Sequence, residues 1–130
     1  MTGIALVLAV AAMLTGKPGT QIVPNGDCPI IEHQLADGCA DIQGNVIHMR
    51  PDLAAMLTHL STTQPYQSSW AVYVFCHEAR HVRGTTNEKV ADRWALAHVY
   101  RVARLLGASD KQARRMLYWL PWWTKGKMPR

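Results

Sequence analysis

Trp70-Ala-Val-Tyr-Val-Phe-Cys-His-Glu-Ala-Arg-His81, with Gly84 close behind and then Glu88-Lys-Val-Ala-Asp92, is the stretch on which the reading of the fold turns. The aromatic and β-branched residues from Trp70 to Phe75 favour a strand by propensity, but the element extends to Val82. Its length and the spacing of its polar residues favour a buried helix. On a helix, positions i and i+4 share a face, so His77 and His81 can reach one ion while Glu78 lies beside them. His77-Glu78-Ala79-Arg80-His81 is thus an H-E-x-x-H motif, with two zinc ligands and a carboxylate that activates the attacking water. A catalytic metal needs a third protein ligand and an open position. Glu88 and Asp92, again four apart, share one face of a following helix, and Gly84 permits the turn that brings that helix back. We assign Glu88 to the metal and Asp92 to the outer ring N–H of a ligating histidine. Spacing alone also allows the reverse, with Asp92 as ligand and Glu88 at the surface.

Working outward, Ile42 to Met49 alternates imperfectly around Gly44-Asn45 and reads as a hairpin or a short edge strand. Pro51 suits a first helical turn, with Leu53, Met56, Leu57 and Leu60 at helical spacing before Pro65 ends the pattern. Ser68 or Ser69 is the expected cap of the His-bearing helix, which Gly84 stops. Asn87 or Thr86 caps a helix from Glu88 to Leu106, and Ser109 with Gln112 forms a capping box that opens a last helix ending at Leu120 or Pro121.

The pair Cys-His-Glu-Ala-Arg-His and Glu-Lys-Val-Ala-Asp-Arg-Trp-Ala resembles the gluzincin branch of the zincin metallopeptidases. Its second half is similar to the E-x-x-A-D segment of the CAAX prenyl endopeptidases and their bacterial membrane relatives. The run from His77 to Ala95 also resembles small bacterial metallopeptidases of unassigned function. The resemblance implies that Glu88 ligates zinc and that Asp92 supports a ligating histidine. The short connection from His81 to Glu88 and the lack of many membrane helices set this chain apart from the larger families, so their substrates do not carry over.

The 130 residues, 48% of them apolar, suffice for one core and not for two domains. Residues 3–14 form an unbroken apolar run that is shorter than the roughly 20 residues a spanning helix needs. This run, residues 1–16, reads as a signal or anchor segment of an exported or membrane-associated protein. Residues 17–40, with three prolines and several glycines, read as linker and loop. In an exported protein Cys28 and Cys39 could close a disulfide, while Cys76 stays a buried thiol.

Net charge is +5, and residues 101–130 carry eight basic side chains against Asp110 alone. Tyr118-Trp-Leu-Pro-Trp-Trp123 with Lys125, Lys127 and Arg130 forms an aromatic and basic tail from residue 121. It suits membrane-surface contact or cover for a small core, and it matches no nucleic-acid-binding motif.

The expected fold is α+β: a minimal zincin-like domain over residues 41–120, mostly helical, with a small β region before the active-site helix. The expected function is zinc-dependent hydrolysis of a protein or peptide substrate, which Ile42 to Met49 would hold by backbone pairing. The alternative is a non-catalytic, zinc-stabilised module that binds a membrane or partner. Transition-state donors are unranked among His48, Tyr73, Arg93, His98 and Tyr100.

Overall fold

The fold is mostly helical α+β, seen in a computed structural model that describes residues 3–28, 30–31 and 34–124. In order, the chain forms α1 (Gly3–Thr15), β1 (Gln21–Pro24), the strand pair β2 (Ile30–Ile31) and β3 (Gln34–Leu35), β4 (Gly38–Asp41) and β5 (Val46–Met49). The remainder is α2 (Pro51–Leu57), α3 (Pro65–Gly84), α4 (Glu88–Leu105) and α5 (Asp110–Thr124).

The organising element is α3. Ala71, Val72, Phe75, Cys76, Ala79 and Val82 are fully buried along it, and all four other helices and the sheet pack around it. The strand propensity of Trp70 to Phe75 therefore yields to tertiary context: β-branched and aromatic side chains suit a helix that is covered on several sides. The helix begins earlier than a serine cap implies. Pro65 occupies its first turn, where a missing N–H costs nothing, and Gln64 precedes it in extended conformation. Ser68 and Ser69 lie inside, where their hydroxyls donate to Gln64 O and Tyr66 O at 3.1 and 2.9 Å. Gly84, at φ +137°, ends the helix.

The three-stranded sheet has the order β1-β5-β4, with β1 parallel and β4 antiparallel to β5. This corrects two expectations. The stretch read as linker supplies β1 and most of β4 to this sheet and also holds the β2–β3 pair; β1 finds its partner more than twenty residues away and carries no local alternation to announce it. Of the two readings of Ile42 to Met49, the hairpin holds and the edge strand does not: Asp41 to Asn45 is the turn between antiparallel β4 and β5, with Asn45 left-handed at φ 57° and Gly44 N donating to Asp41 Oδ1 at 2.9 Å, and β5 is central. The edge is β4. Cys28 and Cys39 are disulfide-bonded, tying the segment after β1 to β4.

The apolar N-terminal run forms α1, which contributes Val7, Val10, Ala11 and Leu14 to the core while leaving Ile4 and Met13 exposed. Lys17 Nζ then donates to Val82 O at 2.6 Å, near the carboxyl end of α3. No helix among the described residues is long and apolar enough to cross a membrane. Asn87 caps α4, its side chain accepting from Val90 N at 3.1 Å. Ser109 and Gln112 form a reciprocal capping box at 2.7 and 3.1 Å. The last helix continues through Pro121 to Thr124, held by ring contacts of Trp119, Trp122 and Trp123 with Tyr66. Lys125, Lys127 and Arg130 lie outside the described residues.

Candidate metal centre

On α3, His77 and His81 turn their Nε2 atoms toward each other at 3.1 Å. The Glu88 carboxylate, on the first residue of α4, meets both: Oε2 is 2.9 Å from His77 Nε2 and Oε1 is 3.0 Å from His81 Nε2. The outer nitrogens face acceptors. His81 Nδ1 is 2.7 Å from Thr85 O, and His77 Nδ1 is 2.7 Å from Asp92 Oδ1, though without the alignment of a straight hydrogen bond. Asp92 is buried and accepts a further hydrogen bond from Tyr73 Oη at 2.7 Å.

For His81 the hydrogen bond from Nδ1 to the Thr85 carbonyl holds the proton there and leaves the Nε2 lone pair directed at the point that Glu88 also faces. His77 turns its Nε2 to the same point, with Asp92 Oδ1 close to its Nδ1. Two ring nitrogens and a carboxylate converging within about 3 Å make a place for a cation or a shared proton. Burial lowers the pKa of His77, partly offset by Asp92 and Glu88, and so favours the neutral ring that ligates metals. The residues therefore fit a metal ion, with His77, Glu78 and His81 forming one group that could hold it. The side chain of Glu88 is 64% exposed, so the cluster opens toward solvent on that side.

Glu78 is buried beside the histidines. Burial above all, then the charges of Glu88 and Asp92, push its carboxyl up to about 8. Because the folded pKa lies above the unfolded one, the metal-free protein loses stability as pH rises from about 4.5 to about 8. Glu78→Gln removes the ionising group. We expect the variant's gain in melting temperature over the metal-free wild type to grow from pH 5 to pH 8; a constant gap would show that Glu78 is not held protonated.

Next to Glu78 runs β4. A Cβ built on Gly38 would meet Val74 Cγ1 at 2.8 Å, His48 O at 3.0 Å and Glu78 Cγ at 3.1 Å. Only glycine lets this strand approach the helix so closely. Asp37, just before it, is bound by Trp70 Nε1 at 2.7 Å and Arg50 Nη1 at 3.0 Å.

Sequence reasoning named Tyr73 only as an unranked transition-state donor and not as the partner of Asp92, and it missed the Thr85 carbonyl and Gly38. Tyr73 stands four positions before His77 on the same helical face, and that spacing was a usable signal. Burial and the adjacent Asp92 push its phenol up, so it remains a donor to Asp92. The other unranked residues are engaged elsewhere. His98 Nδ1 lies 2.6 Å from Trp94 O, Tyr100 bonds Asp110, and His48 Nδ1 lies 3.4 Å from Pro24 O. Arg93 is exposed on α4, and no described contact joins it to the cluster. Cys76 is fully buried, with its thiol pushed up by desolvation, and takes no part. No family model, curated protein or solved structure matches the chain.

Proposed function

We propose that this chain is a zinc-dependent peptidase of the gluzincin type, in which His77, His81 and Glu88 hold the metal and Glu78 is the general base. The observation that carries the reading is the convergence of the two Nε2 atoms and the Glu88 carboxylate, with an acceptor near each Nδ1 and a buried glutamate alongside. Zinc bound there supplies Lewis acidity, polarising a carbonyl and acidifying a coordinated water. Glu78 takes a proton from the attacking water and returns it to the leaving amine. Its low-polarity setting keeps its basicity near that needed at neutral pH. Asp92, braced by Tyr73, and the Thr85 carbonyl keep the imidazoles in register. A zinc-stabilised binding module would have no use for a buried carboxylate beside an open site.

An extended peptide fits the outer edge of β4, which pairs with no other strand among the described residues and runs against Glu78. This role moves from the stretch Ile42 to Met49 to β4. Gly38→Ala should therefore retain zinc yet lower kcat by about 10- to 100-fold, since a small displacement of strand or base misaligns the reacting groups. Wild-type kcat in that variant would remove β4 from the site. The Cys28–Cys39 disulfide supports work in an oxidising compartment, in keeping with an exported or membrane-associated protein.

The function itself is tested by incubating zinc-loaded protein with a mixed peptide library and reading the products by mass spectrometry. Internal cleavage that stops on chelation and returns with zinc is expected. A protein carrying one zinc per chain that cleaves nothing overturns the peptidase reading.

A further inference from the structure

The residues of α5 divide cleanly. Ala113, Met116, Leu120 and Thr124 face inward, while the outer face carries two ridges at i, i+4, i+8 spacing: Lys111, Arg115 and Trp119, and Arg114, Tyr118 and Trp122. Each ridge is cationic in its first half and aromatic in its second. Together they border a shallow groove lined by Lys111, Arg114, Arg115, Tyr118 and Trp119, with Asp110 at its end. Asp110 is already engaged by Arg114 at 2.8 Å and by Tyr100.

The expectation that the tryptophans cover the core holds for only part of the cluster. Trp119 and Trp123 are half-buried, Trp119 against the Tyr66 ring, and Trp123 Nε1 donates to Tyr66 O at 2.6 Å. Tyr118 and Trp122 are 75% and 57% exposed, with Leu117 beside them at 40%. Trp122 is nonetheless held, with its ring 5.0 Å from Trp123 and 5.2 Å from Tyr66, so little ordering is required when it meets a partner.

We infer that this face of α5 docks the protein on an anionic phospholipid surface. Phosphate headgroups match Lys111, Arg114 and Arg115, and indole and phenol rings favour the headgroup boundary. An acidic protein would satisfy the cations but leave Leu117, Pro121 and Trp122 without a role, and a nucleic acid that stacked its bases on the rings would still leave Leu117 and Pro121 without one. An apolar partner would leave the cations unmatched. Exposed Ile4 and Met13 of α1 offer apolar surface without a cation, so association through that helix would not depend on lipid charge.

The test is co-sedimentation of the full chain with vesicles of phosphatidylglycerol and phosphatidylcholine, against vesicles of phosphatidylcholine alone. Binding to the anionic vesicles that falls with added salt is expected. Reversing two cations, Lys111→Glu with Arg115→Glu, should weaken it by about 30-fold or more. Trp122→Ser with Tyr118→Ser should weaken it as well, with helical circular dichroism unchanged in both variants. No association, or equal association with both vesicle types, overturns the proposal without any reliance on variants. Stronger binding to poly-glutamate or a single-stranded oligonucleotide than to vesicles likewise overturns it and gives the face to an acidic partner or nucleic acid.

Discussion

Glu78→Gln is expected to lower kcat/KM by about 10³-fold or more while leaving zinc bound as in the wild type. General-base catalysis contributes roughly 10²- to 10⁴-fold, and glutamine keeps the size and burial of the side chain while losing the ability to take a proton. Metal retention follows from geometry, since the Nε2 atoms of His77 and His81 face Glu88 within about 3 Å, and the site is held together without Glu78. The same substitution removes a buried carboxyl pushed up to about 8, so the metal-free variant should also be the more stable at pH 8. Hydrolysis of the best library peptide and a competitive chelator titration, run side by side, read both quantities. Loss of metal in parallel with activity would make Glu78 a ligand and leave the site without its base.

Glu88→Ala should release zinc more completely than any change at Asp92. Glu88 contacts the Nε2 atoms of both histidines, whereas Asp92 approaches only His77 Nδ1 at 2.7 Å. Asp92→Asn keeps an acceptor but removes the charge that raises the basicity of the ring, for an expected loss in affinity of about 10- to 100-fold. Tyr73→Phe, one step further out, removes the 2.7 Å hydrogen bond to Asp92 and should act in the same direction by less. Chelator titration of the three variants gives their order. If Asp92→Asn proves more damaging than Glu88→Ala, the ligand assignment passes to Asp92.

What was legible in the sequence followed from helical periodicity. The i, i+4 spacings of His77 with His81 and of Glu88 with Asp92 are local properties, and so are Gly84, Asn87 and the Ser109–Gln112 box. Together they bring the four side chains of the cluster to one place. What was illegible depended on distant pairing or on tertiary burial. The partner of β1 is β5, across a long segment, so Gln21 to Pro24 shows no pattern of its own and passed for linker. The uniform apolarity of α1 has no period, and an anchor and a helix packed on one side against a core look alike in such a run. Pro121 marked an expected helix end, but Tyr66, 55 positions earlier in the chain, makes ring contacts that hold the final turn in place. Gly38 gave no local sign of its role, because what it avoids, Val74 and Glu78, lies on another element.

Zinc K-edge X-ray absorption on protein reconstituted with one equivalent of zinc tests the central claim most directly, because it reads the donor set itself. Two imidazole nitrogens at about 2.0–2.1 Å with oxygen donors completing the shell, and no sulfur, is the result expected of His77, His81 and Glu88. A sulfur contribution at about 2.3 Å would contradict the assignment, since Cys28 and Cys39 are joined in a disulfide and would ligate the metal with His48 only after that bond had been reduced.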